Sequence, residues 1–299
     1  MTDVIVVGGG PSGLTAALYT LRAGKTVLLF EKSVYGGQIS RTSKIENYPA
    51  IDEITGAEFS RSLHAQAEKL GATFVKKGVE NAERTENGFA VTAANEKFEA
   101  KALIFALGVS PRKLQLENED DFVSRGVSYC AFCDGAFFKD GDVAVVGGGV
   151  TAIQDAVYLS GLCRKVYLIH RRDTFRASDN SVNDVRAREN VEVITDSVVT
   201  ALSGEKKLER ITVRNKVTNE ERTIELNGIF VAIGQEPQTE RFKDILPLDE
   251  NGYVICGENC TVSDGIFVCG DCRQKEIRQL TTAVSDGTVA AVKACEYIK

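Results

Sequence analysis

Basic residues, histidine and long apolar runs are all scarce in this 299-residue chain, and each scarcity closes off a class of function. Lysine and arginine total 36 against 42 aspartates and glutamates, a formal charge of −6. A phosphate backbone is held by a basic surface, so nucleic acid is excluded as a partner. No apolar stretch approaches the roughly 20 residues that cross a bilayer, so no membrane segment is expected. The opening Met1-Thr2-Asp3 passes straight into the strand-like Val4 to Val7 with no secretory signal, which makes the expected setting cytoplasmic. With only His64 and His170 available, a metal site would have to be built from cysteine.

What is present is core and glycine. The chain is 43% hydrophobic and 26% charged, enough for one large domain or two medium ones. Thr2 to Lys32 reads as strand, tight glycine turn, amphipathic helix, strand, and Gly141 to Arg172 reads the same way. This duplication predicts an α/β protein with two Rossmann-like domains, each a mostly parallel sheet covered by helices. Ile229 to Pro237 echoes Ile104 to Pro111, and the second unit is too short to use everything up to Lys299. The tail is therefore expected to return to the first domain, with the second inserted in it: residues 1–115 and 241–299 against 116–240. Between the turns a helix is expected near Phe59 to Leu70, and separate strands over Lys97 to Ala100 and Ala102 to Ala106.

The two turns differ in what they select. Gly8, Gly10 and Gly13 form GxGxxG after a strand: the first permits the turn, the second lets backbone approach a pyrophosphate, and the third lets helix pack on strand. Glu31 then ends the second strand, where an acid can accept hydrogen bonds from a ribose diol, as suits the adenosine of FAD. The second turn has Gly147 and Gly149 with Ala152 in third place. In place of the acid stand His170, Arg171 and Arg172, followed by Arg176, a cluster suited to a ribose 2′-phosphate and so to NADPH.

Cys130 and Cys133 form a CxxC just before the second turn, a spacing suited to a redox pair, and Asp134 beside them is a carboxylate able to move a proton. The competing reading is a zinc site joining this pair to Cys269 and Cys272, although that second pair encloses a Gly270-Asp271 turn of phosphate-site type.

These features resemble the low-molecular-weight, bacterial-type thioredoxin reductases over essentially the whole chain. The matching motifs are GGGPSG at 8–13, GGQI at 36–39, IENYP at 45–49, CAFCDG at 130–135, GGGVTA at 147–152, HRRDTFRA at 170–177, GIFVCGD at 265–271 and RQLTTAVSDG at 278–287. The resemblance implies two domains of the three-layer FAD/NAD(P)-binding type and the reduction of thioredoxin, or a similar small dithiol protein, by NADPH through FAD. It implies that Cys133 faces the flavin, Cys130 attacks the partner disulfide and Asp134 is the acid/base. It places Gly8, Gly10, Pro11, Ser12, Gly13, Glu31, Gly37, Gln38, Asn47, Gly108, Gly270, Asp271, Arg278 and Gln279 around FAD. Gly147, Gly149, Ala152, His170, Arg171, Arg172 and Arg176 would hold NADPH. It also implies a homodimer and a redox pair that alternates between flavin and partner by rotation of the second domain.

This sequence departs from the family pattern at Leu107, Val150 and Gln235, each of which replaces a more polar or titratable residue, and Cys269 and Cys272 are unusual flanks for the Gly-Asp turn. Other functions compete, among them the ferredoxin-NADP oxidoreductase branch, which lacks the redox pair, and a peroxiredoxin-reducing flavoprotein, which carries an extra N-terminal thiol domain. A relative drawing electrons from ferredoxin would lose the arginine cluster, and a non-enzymatic redox-sensing nucleotide module would have no need of a CxxC beside an aspartate.

Overall fold

The computed structural model describes residues 1–42 and 44–299. The chain forms two units, one of residues 1–110 and 236–299 and the other of residues 111–235. The first begins with β1 (Thr2–Val7), α1 (Pro11–Arg22), β2 (Val27–Phe30), α2 (Gly56–Lys69), β3 (Thr73–Val75), β4 (Asn81–Thr85), β5 (Gly88–Ala93), β6 (Glu96–Phe105) and β7 (Val109–Pro111). The second carries β8 (Val127–Ser128), α3 (Ala131–Asp134), β9 (Asp142–Val146), α4 (Val150–Ser160), β10 (Lys165–Ile169), α5 (Asp179–Arg186) and β11 (Val191–Ile194). It continues with β12 (Ser197–Ser203), β13 (Arg210–Asn215), β14 (Glu221–Glu225) and β15 (Gly228–Val231). The chain returns through β16 (Gln235–Pro237) to β17 (Thr261–Ser263), β18 (Ile266–Val268) and α6 (Leu280–Tyr297).

In the first unit β3, β2, β1, β6 and β18 lie side by side and parallel, with β17 antiparallel at the edge. In the second, β11, β10, β9, β15 and β8 are all parallel, and β12, β13 and β14 form a separate antiparallel sheet. Alternation along β1 accounts for the layers: Val4 and Val6 pack with Leu14, Ala17 and Ala290, whereas Ile5 and Val7 pack with Phe30, Phe89 and Leu103. Both faces are covered, as a parallel sheet requires. β9 repeats the arrangement, with Ala144 and Val146 in one core and Val143 and Val145 in another. In both sheets the strand before the glycine turn has neighbours whose order runs in opposite directions. Each turn thus sits at a topological switch point, where such sheets bind ligands.

Three local differences from the expectation have physical causes. β6 is one strand rather than two, because its first half pairs antiparallel with β5 (Lys97 opposite Thr92) and its second half parallel with β1 (Phe105 opposite Val7). α2 starts earlier, at Gly56, because Thr55 and Glu58 form a reciprocal cap across its first turn. β12 escapes the sequence pattern because its register shifts between Val199 and Ala201 and breaks the alternation. The tail joins the first unit: β18 pairs with β6, and α6 lies so close to α1 that a Cβ on Gly287 would stand 2.3 Å from the Ser12 carbonyl oxygen. Among the described residues, no helix is long and apolar enough to cross a membrane.

Candidate functional site

In the first unit the glycine turn is closed from two sides. Gly8 has φ +111°, and a Cβ there would lie 2.2 Å from the Ala106 carbonyl oxygen; one on Gly13 would lie 1.9 Å from that of Gly8. Gly10 differs, because a Cβ there would meet no atom of the described residues within 4 Å. The open space lies at the N-terminus of α1, where Pro11 occupies the first turn and unpaired N–H groups face outward. Glu31 bridges the turn: Oε2 accepts from Gly9 N–H at 2.8 Å and Oε1 from Ser33 N–H at 2.8 Å, leaving further acceptor capacity on both oxygens.

Other predicted residues gather round this turn. Gly37 approaches Gly10 Cα, at 3.3 Å from the position of its Cβ. Gln38 Nε2 donates to the Val109 carbonyl, one residue beyond Gly108, and Asn47 Nδ2 donates to Gln279 Oε1 at 3.3 Å. Gly270, with φ +79°, comes so close to Ser12 that a Cβ would stand 2.5 Å from its Oγ. Arg278 donates to the Asp271 carbonyl at 3.2 Å and lies over the Tyr253 ring, 4.2 Å from its centroid. Asp271 is half-buried, its Oδ1 buried and without a partner among the described residues, and burial raises its carboxyl above the ordinary aspartate range. An orphaned buried acceptor beside an open glycine turn fits the polar groups of a dinucleotide such as FAD.

One group holding this turn lies within the 278–287 motif but is given no role there. Asp286, on α6, accepts from Gly270 N–H at 3.0 Å, from Arg273 Nε and Nη2 at 2.8 and 2.9 Å, and from Lys275 Nζ at 2.8 Å. Burial works to raise its pKa, but the Arg273 and Lys275 cations prevail and hold it below the usual range. Its signal in the sequence is a carboxylate on the same helix face as Ala283, Ala290 and Ala294, where an unpaired charge is prohibitively costly. Cys269 and Cys272 flank the turn fully buried; burial pushes Cys272 up to about 12 and Cys269 well above its ordinary value, so both remain thiols.

The second turn is built alike. A Cβ on Gly147 would stand 2.3 Å from the Ala232 carbonyl oxygen and 2.7 Å from Ala152 Cβ. At Gly149 a Cβ would meet only the Arg176 guanidinium, 3.9 Å away. The loop after β10 folds back on this turn through Arg176 N–H to the Gly148 carbonyl at 2.8 Å. The basic cluster divides in two. Arg171, Arg172 and Arg176 are exposed, whereas His170 is buried over Gly148, stacked on Phe175 and bonded through Nε2 to the Thr174 carbonyl at 3.0 Å. Burial lowers its pKa and the three arginines lower it further, so it shapes the loop as a neutral ring. The exposed guanidiniums fit an additional phosphate such as that of NADPH.

Cys130 and Cys133 are joined in a disulfide across a Cα separation of 5.3 Å, with Cys133 exposed and Cys130 half-buried. Phe132 between them is exposed and stacks on Tyr158 of α4 at 4.4 Å. Asp134 closes the short helix, its carboxyl raised by burial and partly restored by a hydrogen bond from Ser128. The sequence reading passed over Ser128.

Residues 2–287 match the family model of the pyridine nucleotide-disulphide oxidoreductases. The chain is 37% identical to the thioredoxin reductase of Bacillus subtilis, over 99% of this chain and 95% of that one. It is 40% identical to the bifunctional thioredoxin reductase/thioredoxin of Mycobacterium leprae, over 99% of this chain but 66% of that protein. Its fold matches the crystal structure of thioredoxin reductase from Streptococcus pyogenes MGAS5005 with a TM-score of 0.94 and 38% identity, covering 99% of this chain and 98% of that one.

Proposed function

Because the chain belongs to the pyridine nucleotide-disulphide oxidoreductase family, we propose that it is a thioredoxin reductase, an oxidoreductase that uses NADPH and FAD to reduce the disulfide of thioredoxin or a similar small dithiol protein. The observation that carries the reading is the Cys130–Cys133 disulfide beside Asp134, in the same unit as a glycine turn overhung by exposed arginines. FAD, when bound, supplies the two-electron relay between the pyridine nucleotide and the disulfide.

The chain's own groups do the rest. The α1 N-terminus, Glu31 and Asp271 orient the dinucleotide of the first unit, and Arg171, Arg172 and Arg176 select the phosphorylated ribose in the second. In the dithiol form the Cys130 thiolate attacks one sulfur of the partner disulfide, forming a mixed disulfide and releasing a partner thiolate, which takes up a proton. The Cys133 thiolate then attacks Cys130 Sγ; the second partner thiolate leaves and the Cys130–Cys133 bond reforms. Asp134 holds the proton exchanged in these steps. Six free thiols beside a single disulfide suit a reducing compartment such as the cytoplasm, and the family resemblance favours a homodimer, which sedimentation velocity checks.

Anaerobic titration of the FAD-loaded, oxidised protein with NADPH, followed by flavin absorbance, tests the reading. We expect about two equivalents to be consumed, one by the flavin and one by the disulfide. Complete reduction at about one equivalent would mean that Cys130 and Cys133 exchange no electrons with the ring, and an unbleached flavin would refute NADPH as donor.

A further inference from the structure

Ser128 places one hydroxyl between two groups of the dithiol loop. It accepts from Cys130 N–H at 3.1 Å and donates to Asp134 Oδ2 at 2.6 Å, and the residue is 5% exposed. A hydroxyl has a single proton, and the 2.6 Å contact claims it over the 3.4 Å approach to the Cys130 carbonyl. That carbonyl is already engaged, receiving Cys133 N–H at 3.3 Å and Asp134 N–H at 3.1 Å. Residues 130–134 are therefore closed twice: by the disulfide, from Cys130 to Cys133, and by the Ser128 hydroxyl, from the Cys130 amide to the Asp134 carboxylate. The first closure opens in every catalytic cycle. The second contains no reducible bond.

We infer that Ser128 is a positioning residue of the dithiol site, holding the Asp134 carboxyl against the Cys130 backbone while the cysteines alternate between disulfide and dithiol. The inference rests on the reading of Cys130 and Cys133 as the working pair. Ser128 ties down Oδ2 alone; Oδ1 has no hydrogen-bond partner among the described residues and is the oxygen available to exchange a proton. Burial raises the proton affinity of Asp134, and the Ser128 hydroxyl opposes it by favouring the carboxylate. Two elements pack against α3: the turn of residues 135–138, which carries no titratable group, and α4, which carries Asp155 and Tyr158; in the dithiol form the Cys130 and Cys133 thiols also stand beside Asp134 in the chain.

The test separates this inference from the functional reading. Chemically reduced protein, freed of reductant, is mixed with 5,5′-dithiobis(2-nitrobenzoate) from acid to alkaline pH without NADPH, and the exchange rate is followed against a Cys130→Ser, Cys133→Ser protein as the blank for the remaining thiols. Beside the inflection of the thiols themselves, which every variant keeps, we expect a second one that is absent in Asp134→Asn, moves upward in Ser128→Ala, and returns toward its original place in Ser128→Thr. A second inflection that stays in place in Ser128→Ala, or survives in Asp134→Asn, overturns the inference. Amide hydrogen exchange needs no variant: protection of Cys130 N–H that persists on reduction supports the tie, and its loss on reduction refutes it. Wild-type turnover with NADPH and thioredoxin, measured alongside, tests the functional reading alone.

Discussion

Asp155 carries a carboxyl among the inward positions of α4, beside Ala152, Ile153, Ala156 and Leu159, with no hydrogen bond to a described residue. Burial alone pushes it up to about 7, so it folds protonated. Above the ordinary aspartate value of 3.8 the unfolded chain loses this proton while the folded one keeps it, and stability falls as pH rises toward about 7. We expect Asp155→Asn, which stays neutral, to flatten that fall and to stabilise the protein above pH 7 by on the order of 2–3 kcal/mol. Thermal midpoints of both proteins on either side of the window check it; parallel pH curves would show that Asp155 ionises normally in the fold. The arginines offer a second measurement. Each exposed guanidinium that meets a 2′-phosphate contributes about 1.5–3 kcal/mol, so Arg171→Ala or Arg176→Ala should raise KM for NADPH by about 10- to 100-fold and leave kcat/KM for NADH unchanged. Equal losses with both nucleotides would place these side chains elsewhere.

The glycine turns differ from their surroundings in what an added methyl would strike, and the difference separates folding from binding. Gly13→Ala drives a Cβ into the Gly8 carbonyl at 1.9 Å, so α1 must move off β1; a loss of about 1–3 kcal/mol and a lower Tm are expected whether or not FAD is present. Gly10→Ala meets nothing, at an ordinary φ of −72°, so the apoprotein should melt as wild type does while FAD retention drops. Equal FAD retention in Gly10→Ala and wild type would remove the pyrophosphate from that position. At this scale much was legible. Strand, glycine turn and helix recur at fixed spacing because a tight turn and a close helix both require absent side chains, and β5, β11 and β13 follow from plain alternation. What escaped were features that depend on distant partners. The change of neighbours along β6 comes from β1 and β5 lying beside the same strand, and His170 reads as a cation although its surroundings bury it as a neutral ring. Ser128 and Asp286 matter only through Asp134 and Gly270, which the fold, not the spacing, brings to them.

At the scale of the molecule, each unit has a core drawn from its own residues: Val4 to Leu107 with Phe242 to Ile298 in one, Leu114 to Ile233 in the other. The chain passes between them through β7 and β16, which pair with each other, so Ser110 and Glu236 leave the first unit on neighbouring strands about 4.8 Å apart. Their pairing is anchored within the first unit by Gln238 N–H to the Gly108 carbonyl at 3.3 Å, and within the second by Arg112 N–H to the Gly234 carbonyl at 3.0 Å. A short glycine-serine connector from Ser110 to Glu236 can therefore replace residues 111–235, removing only Pro111 from β7 and Gln235 from β16. Such a chain keeps the open Gly10 turn, Glu31, Asp271 and the Asp286 clamp, and loses both the arginine cluster and the disulfide. We expect it to fold and bind FAD at about one per chain, with a flavin that dithionite bleaches and NADPH does not. Residues 111–235 expressed alone should keep the Cys130–Cys133 disulfide, bind NADPH and carry no flavin. Flavin found with the 111–235 fragment, or bleaching of the excised chain by NADPH, would reverse the assignment of the two nucleotides to the two turns, because the acid at Glu31 and the bases at Arg171 and Arg172 are what distinguish them.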